Sequence, residues 1–203
     1  MERALGPLLL EARSGPGGLR PLAAGGATAA RKADKDVEVL VPADLIQVRS
    51  DGEIRPWFEA VLSADSDLPD VVDAWSVHPY PGPRDKGPSD RGSDSRFDFD
   101  RVPETRAIAR RHDADRPIWL TEIGWSTATG ADETVTEEEQ ARYVAGVLDR
   151  AGGAWRESVA RTFIYTWDRS SQDSADREGG YGLRRPDGST KPAWQTVADA
   201  AKE

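Results

Sequence analysis

One carboxylate in this sequence stands where an apolar run would otherwise continue, and it is the first candidate for chemistry. Residues 116–125 read Arg-Pro-Ile-Trp-Leu-Thr-Glu-Ile-Gly-Trp, with the carboxylate at Glu122. The four residues before it are β-branched, aromatic or bulky, which predicts a buried strand. An ionised carboxylate is costly to bury unless it is paired or used in function. The pattern therefore makes Glu122 a candidate functional group, with a structural salt bridge as the alternative.

Two further apolar segments end in side chains that could hold or stack on a ligand. Residues 71–77 lead into His78 and Tyr80, and residues 159–166 lead into Trp167. If these positions belonged only to the hydrophobic core, aliphatic residues would be expected there. If the strands are parallel, their carboxyl ends meet at one edge of the sheet and bring these groups near the carboxylate. As alternatives, the histidine could cap a turn, the tyrosine could pack under the following loop, and the tryptophan could be core.

Strand-like and helix-like segments alternate along the chain from residue 37 onward. The predicted strands are 37–41, 71–77, 116–125 and 159–167, and the predicted helices are 55–64, 102–112, 136–152 and 191–201. Such alternation predicts parallel strands joined by right-handed helical crossovers. The predicted fold class is therefore α/β, as part of a TIM barrel or as a small open sheet.

Residues 1–36 lack this pattern, and we predict a poorly ordered N-terminal segment there, followed by a domain over residues 37–203. Residues 4–12 could form a short helix broken by a Gly-Pro pair. Residues 14–33 are rich in Gly, Ala, Pro and Arg, a composition that predicts a loop or disorder. Acidic residues flank the short apolar stretch, so the segment does not read as a signal peptide.

Composition argues against several classes of protein. The chain has 203 residues and a net charge of -9, which disfavours nucleic acid and anionic membrane as partners. No apolar run is long enough to span a bilayer. The absence of cysteine excludes disulfides and thiol catalysis, and two histidines argue against a multi-histidine metal site. Asp94, Asp98 and Asp100 lack the glycine and distal glutamate of a calcium loop and read as exposed polar loop.

The three strand ends resemble strands six, seven and eight of the retaining glycoside hydrolases of the (β/α)8-barrel clan, which includes cellulase-like and xylosidase-like enzymes. The residues that carry the resemblance are Asp73-Ala74-Trp75-Ser76-Val77-His78-Pro79-Tyr80, Pro117-Ile118-Trp119-Leu120-Thr121-Glu122-Ile123-Gly124-Trp125, Tyr165-Thr166-Trp167-Asp168, and the tail motifs Gly182-Leu183, Asp187-Gly188 and Lys191-Pro192-Ala193-Trp194. The resemblance covers about residues 37–203. It implies a partial TIM (β/α)8 barrel of about four C-terminal βα units, strands five to eight.

This resemblance also implies a role for each site residue. Glu122 matches the catalytic nucleophile of the retaining mechanism, which forms a glycosyl-enzyme ester. His78 and Tyr80 match positions that hydrogen-bond the nucleophile or the sugar. Trp167 matches an aromatic floor beneath the sugar ring, and Trp125 could extend that surface. The implied substrate is an oligosaccharide or polysaccharide, with no cofactor or metal, and a full-length relative is expected to act outside the cell.

One element of the family pattern is missing from the sequence. The acid/base of this clan is the glutamate of an Asn-Glu pair at the end of strand four, and the chain contains no asparagine. Residues 37–41 read as strand five, so we expect the acid/base half to be absent and the isolated chain to be nearly inactive. A truncated or mis-started reading frame is one hypothesis for the composition of residues 1–33. The expected partner is an N-terminal half barrel, because the outer strands would otherwise be unpaired.

Three interpretations follow from the sequence. The first is the C-terminal half of a retaining glycoside hydrolase. The second is a non-catalytic, carbohydrate-binding or structural remnant of such a barrel that kept its aromatic surface. The third is an unrelated α/β domain in which Glu122 is a buried salt-bridge member. The third would place His78, Glu122 and Trp167 far apart, whereas a barrel would place them around one mouth.

Overall fold

The computed structural model describes residues 19–48, 52, 54–91, 96, 98–168, 171 and 173–202. Its helices and strands are, in chain order, α1 (Leu19–Ala33), β1 (Leu40–Pro42), β2 (Ile46–Val48), β3 (Ile54–Pro56), α2 (Phe58–Ala64), β4 (Ala74–Val77), α3 (Val102–Arg111), β5 (Ile118–Ile123), α4 (Glu137–Gly152), β6 (Val159–Ile164), α5 (Arg177–Gly180) and α6 (Pro192–Ala200). Two 3-10 helices, Leu68–Val71 and Phe99–Arg101, precede β4 and α3. No helix within these ranges is long and apolar enough to cross a membrane.

A four-stranded sheet in the order β1-β4-β5-β6 is the frame of the molecule, and all its neighbouring strands are parallel. Helices lie in each connection between the strands, so the predicted alternation of strands and helices is confirmed. Strands β2 and β3 form a separate antiparallel hairpin after β1. Because the four strands are parallel, the loops that follow them all leave from the same edge of the sheet.

The register of the sheet separates a packed face from an open face. One row of paired residues is almost fully buried and consists of Val41, Trp75, Ile118 and Val159. The next row is half-buried or exposed and consists of Pro42, Ser76, Trp119 and Arg161. On this open face Phe163 is 48% exposed and stacks on Trp119 at 5.9 Å between ring centroids. Parallel sheets are normally covered on both faces, so the open face is an unusual feature.

The packed face is held by aromatic and aliphatic side chains from the helices. Phe58 of α2 meets Trp75 edge-on at 4.9 Å, and the Trp75 indole N–H donates to the Ala114 carbonyl at 2.9 Å. Val144 of α4 is fully buried. The start of α4 is fixed by a capping box, in which the Thr136 side chain accepts the Glu139 backbone N–H and the Glu139 side chain accepts the Thr136 backbone N–H.

The prediction of a loop or disorder over residues 14–33 is wrong for residues 19–33, which form α1. Long-range contacts stabilise this helix, since Ala27 is 2% exposed and Arg31 donates to Asp73 at 2.7 Å. The same Asp73 oxygen accepts the Val39 N–H at 2.7 Å. Burial raises the pKa of Asp73, but these two hydrogen bonds, together with the charges of Arg31 and Arg116, outweigh it and hold the pKa below its usual value. The helix predicted over residues 4–12 lies outside the described residues, and a division of the chain at residue 37 stays a prediction.

The other predicted elements exist with shifted bounds. The strand predicted over 71–77 begins at Ala74, because the chain first makes the 3-10 helix Leu68–Val71 with proline in its first turn. The hairpin β2–β3 and the short helix α5 were not predicted, the latter lying in a segment that reads as polar loop. Asp98, predicted to be exposed, is 9% exposed and pairs with Arg91 at 3.2 Å.

Two phenylalanines provide a matched test of the packed and open faces. Phe58→Ala should lower the free energy of unfolding by about 3–5 kcal/mol, because it leaves a cavity in the core. Phe163→Ala should cost less than about 1 kcal/mol, because its side chain is half exposed. Urea unfolding followed by tryptophan fluorescence measures both values. Equal losses in the two variants would contradict the assignment of an open face.

Candidate active site

The carboxyl ends of the four parallel strands surround a cleft of about 600 Å³. The residues that line it from these ends and the loops after them include Asp44, His78, Tyr80, Glu122 and Tyr165. The third sequence interpretation required His78 and Glu122 to lie far apart, whereas the structure brings them to one mouth. The cleft is therefore formed where barrel enzymes carry their working residues.

The centre of the cleft is a short hydrogen bond between two predicted site residues. The Tyr80 hydroxyl donates to Glu122 Oε1 at 2.6 Å. His78 Nδ1 lies 3.8 Å from the other oxygen, Oε2, which is beyond hydrogen-bond range. The β5–β6 pairing shifts register between Leu120 and Ile123, next to this carboxylate. Such irregularities re-aim side chains, and here the Glu122 side chain is 33% exposed toward the cleft.

Tyr80 is held in its protonated, donating form. Burial raises the pKa of the phenol, and the hydrogen bond to Glu122 and the charge of that carboxylate raise it further. The Arg84 guanidinium opposes the shift, but its effect is smaller. The phenol therefore stays a hydrogen-bond donor at neutral pH and fixes one carboxylate oxygen, while the other oxygen lies 3.8 Å from His78 Nδ1.

Asp44 is a carboxyl group of the cleft that the sequence analysis did not identify. Its Oδ1 accepts the backbone N–H of His78 at 3.1 Å, and its carbonyl accepts the Phe58 N–H at 3.2 Å. Burial raises its pKa, the bond from His78 lowers it, and the charge of Glu122 raises it again, with a net upward shift. The signal was weak, because Pro42 and Ala43 separate Asp44 from the predicted strand 37–41, whereas His78 directly follows its strand.

Trp125 does not reach the cleft, so its predicted contact with sugar is corrected. The side chain is 1% exposed, and its indole N–H donates to the Lys86 carbonyl at 2.7 Å. The ring packs against Tyr143 with centroids 5.4 Å apart. The residue before it, Gly124, has no room for a side chain, because an added Cβ would lie 1.9 Å from the Tyr165 carbonyl oxygen. A side chain at position 124 would therefore clash with the backbone that follows β6.

Trp167 is not among the described residues that line the cleft. It is 49% exposed and meets Trp194 edge-on at 4.2 Å. Its predicted role as a sugar floor therefore has no support from this position and stays a prediction. Asp168 pairs with Arg184 at 3.2 Å, in line with a loop residue.

Two tyrosines supply the aromatic lining that the sequence analysis missed. Tyr181 packs edge-on against Tyr80 at 6.2 Å and against Tyr165 at 5.4 Å, and all three line the cleft. Lys191 holds the backbone next to Tyr181, since its buried Nζ donates to the Gly180 carbonyl at 2.8 Å. Burial lowers the pKa of Lys191 to about 8. The position of Tyr181 thus depends on contacts far along the chain, which no local motif shows.

The described residues contain no group of three or more histidine, cysteine, aspartate or glutamate side chains that could hold a metal ion. The polar side chains that line the cleft include carboxyl groups, phenols, guanidinium groups and one imidazole. A carboxylate held at one oxygen and open at the other is suited to attack an electrophilic carbon.

Titration of Tyr80 tests the central hydrogen bond. The absorbance difference between the wild-type chain and Tyr80→Phe isolates this phenol, which should ionise above its ordinary pKa of about 10. Glu122→Gln should lower the pKa of Tyr80, because it removes the negative charge that disfavours the phenolate. Glu178→Gln serves as a control, since Glu178 accepts from Tyr165 and not from Tyr80. A Tyr80 that titrates at its ordinary value would contradict the described geometry.

Comparison with known proteins identifies the fold. No family model and no curated protein matches this sequence. Among solved structures, a family 39 glycoside hydrolase from Bacteroides cellulosilyticus WH2 matches with a TM-score of 0.62 at 22% identity, over 89% of this chain and 36% of that chain. A glucosidase from Croceicoccus marinus matches with a TM-score of 0.62 at 16% identity, over 93% and 36% of the two chains. Xylanase 10B from Thermotoga maritima matches with a TM-score of 0.53 at 13% identity, over 91% and 52%.

These neighbours are TIM-barrel glycoside hydrolases, so the predicted resemblance and the predicted partial barrel are both confirmed. The chain spans 36% of the length of the first two and about half of the third. At these identities the likeness concerns the fold. The structure is thus that of part of a (β/α)8 barrel of the kind used by glycoside hydrolases.

Proposed function

We propose that this chain carries the nucleophile side of a retaining glycoside hydrolase that acts on oligosaccharides or polysaccharides. The observation that supports this most directly is the 2.6 Å hydrogen bond from Tyr80 to Glu122, at the carboxyl ends of parallel barrel strands. The fold of the glycoside hydrolases with similar structures agrees with it.

In the proposed mechanism, Glu122 attacks the anomeric carbon of a sugar bound in the cleft. The bond to the leaving-group oxygen breaks, that oxygen takes a proton from an acid, and a glycosyl ester forms on Glu122. Water then attacks the ester from the side the leaving group vacated, gives up a proton to the same acid/base, and releases the sugar with retained configuration. The attack needs one oriented oxygen, which fits a carboxylate anchored by Tyr80 at Oε1 and open at Oε2.

The acid/base of this reaction is proposed to come from outside the four described βα units. A retaining pair requires a second carboxyl group about 5–5.5 Å from the nucleophile. The outer edges of β1 and β6 are unpaired in the described sheet, and Trp119 and Phe163 lie on its open face. A second half barrel, in the same polypeptide or in another, would pair both edges, cover this face and bring the acid to the cleft.

A trapped glycosyl ester would test the nucleophile without requiring the acid. Dinitrophenolate leaves without protonation, so a dinitrophenyl fluoroglycoside should label the chain on Glu122 even if no acid is present. Intact-mass and peptide mass spectrometry would detect the added fluorosugar. Glu122→Gln should abolish the label, and the cleft variant Glu178→Gln should retain it. Labelling elsewhere, or labelling of Glu122→Gln, would contradict the assignment of Glu122.

The dependence of rate on the leaving group tests the proposed absence of the acid. The purified chain should cleave dinitrophenyl glycosides slowly and leave phenyl glycosides intact, because only the first can depart without a proton. Co-expression with the strand one-to-four portion of the family 39 enzyme should increase cleavage of phenyl glycosides. Robust turnover of phenyl glycosides by the chain alone, abolished by Glu122→Gln, would show that the acid lies within it.

The second candidate function is carbohydrate binding without catalysis. Three tyrosines and four arginines line the cleft, and such side chains can bind sugars whether or not a bond is broken. Binding of oligosaccharides together with a complete lack of labelling at Glu122 would favour this function over the first.

A further inference from the structure

The cleft is lined by as many acidic as basic side chains, although the chain as a whole is acidic. The chain has a net charge of -9. The charged residues that line the cleft are the four acids Asp44, Asp98, Glu122 and Glu178 and the four arginines Arg84, Arg96, Arg101 and Arg177. Two of these form ion pairs with neighbouring acids, Arg101 with Glu104 at 2.8 Å and Arg177 with Glu133 at 3.2 Å. An arginine already paired in this way contributes little net charge to a ligand.

Arg84 is in a different position. Within the described part of the chain, no acidic side chain forms an ion pair with its guanidinium, which is solvent-exposed. Its backbone is held, because the Arg84 N–H donates to Glu133 Oε2 at 3.3 Å. Since Glu133 is itself paired with Arg177, it does not neutralise the Arg84 side chain. The cleft therefore presents one anchored cation whose charge is not matched by a neighbour.

The guanidinium is also oriented. Its central carbon lies 4.3 Å from the centroid of the Tyr80 ring, over the face of the ring. Stacking occupies the flat face of a guanidinium and leaves the N–H groups at its edge available to a planar anion. The same tyrosine donates to Glu122 from its hydroxyl end. The Arg84 guanidinium and the candidate nucleophile Glu122 thus both contact Tyr80, the first at the ring face and the second at the hydroxyl.

We propose that Arg84 binds a negatively charged group on the sugar substrate, so that the cleft prefers acidic over neutral oligosaccharides. This inference rests on the proposed function and adds the substrate class to it. A carboxylate of a uronic acid fits the edge of a guanidinium with two parallel hydrogen bonds, and a sulfate ester offers the same charge with a tetrahedral shape. Neutral sugars would bind the same cleft through their hydroxyl groups and gain nothing from the unmatched charge.

Isothermal titration calorimetry on the 203-residue chain tests the proposal with three probes of equal length. The probes are a xylo-oligosaccharide, the same oligosaccharide carrying one glucuronic acid, and the same carrying one sulfate. At low salt, an acidic probe should bind about three- to tenfold more tightly than the neutral one, the range expected for an exposed charged hydrogen bond. The preference should fall as the salt concentration rises, because the charge is screened. The ratio between the glucuronate and sulfate probes distinguishes the two anions.

Variants of Arg84 separate recognition from a general change in the cleft. Arg84→Gln should reduce binding of the acidic probe to the level of the neutral one and leave the neutral probe unchanged. Arg84→Lys should restore part of the preference, since it keeps the charge without the paired N–H groups. Arg111→Gln is the matched control, because Arg111 pairs with Glu59 outside the cleft lining and should leave all three affinities unchanged.

The outcomes distinguish this inference from the proposed function. Equal affinity for acidic and neutral probes, or a preference that survives Arg84→Gln, overturns the role of Arg84 and leaves the glycosidase proposal intact. Failure of every probe to bind, together with the absence of a covalent label on Glu122, overturns the proposed function and this inference with it. A preference for the acidic probes that is lost in Arg84→Gln and partly regained in Arg84→Lys supports the inference.

Discussion

The parallel register of β4 and β5 is the constraint on which the candidate site depends. Ser76 is paired with Trp119 and Val77 with Leu120, so the chains leave the two strands side by side. Tyr80 and Glu122 each follow this ladder by a few residues, and their hydroxyl and carboxylate meet at 2.6 Å. The ladder is itself anchored on the packed face by Trp75 and its bond to Ala114. A register shift of one residue would turn every side chain to the opposite face and separate the pair.

The same sheet explains why the site is only partly enclosed. Its packed face has the burial expected of a core, whereas the open face exposes Phe163 and Arg161. The Arg161 guanidinium lies 4.6 Å from the Trp119 ring centroid and pairs with Glu38 at 3.5 Å, which covers part of the apolar surface with charge. Surface of this kind on a parallel sheet is typical of an interface.

The sequence predicts the parts of this structure that depend on local pattern and strand ends. Glu122, His78 and Tyr80 were identified because a polar residue after a buried run is unusual, and they lie together. Trp125 was misjudged because its side chain is buried by contacts with Lys86 and Tyr143, which lie far along the chain and leave no local signal. Helix α1 was missed for the same reason, since Arg31 and Asp73 stabilise a composition that is locally unfavourable. Asp44 was missed because the residues after β1 show no periodic pattern of apolar and polar side chains from which its position could be predicted.

The indole of Trp125, although remote from any ligand, has a mechanical consequence. Its hydrogen bond to the Lys86 carbonyl fastens the loop after β4 to the segment directly after β5. Arg84 lies two residues before Lys86, and Glu122 lies three residues before Trp125. The bond therefore joins the loop that carries Arg84 to the strand that carries Glu122, at a point outside the cleft lining. A displacement of that loop relative to β5 would have to break this bond, although the indole never meets a ligand.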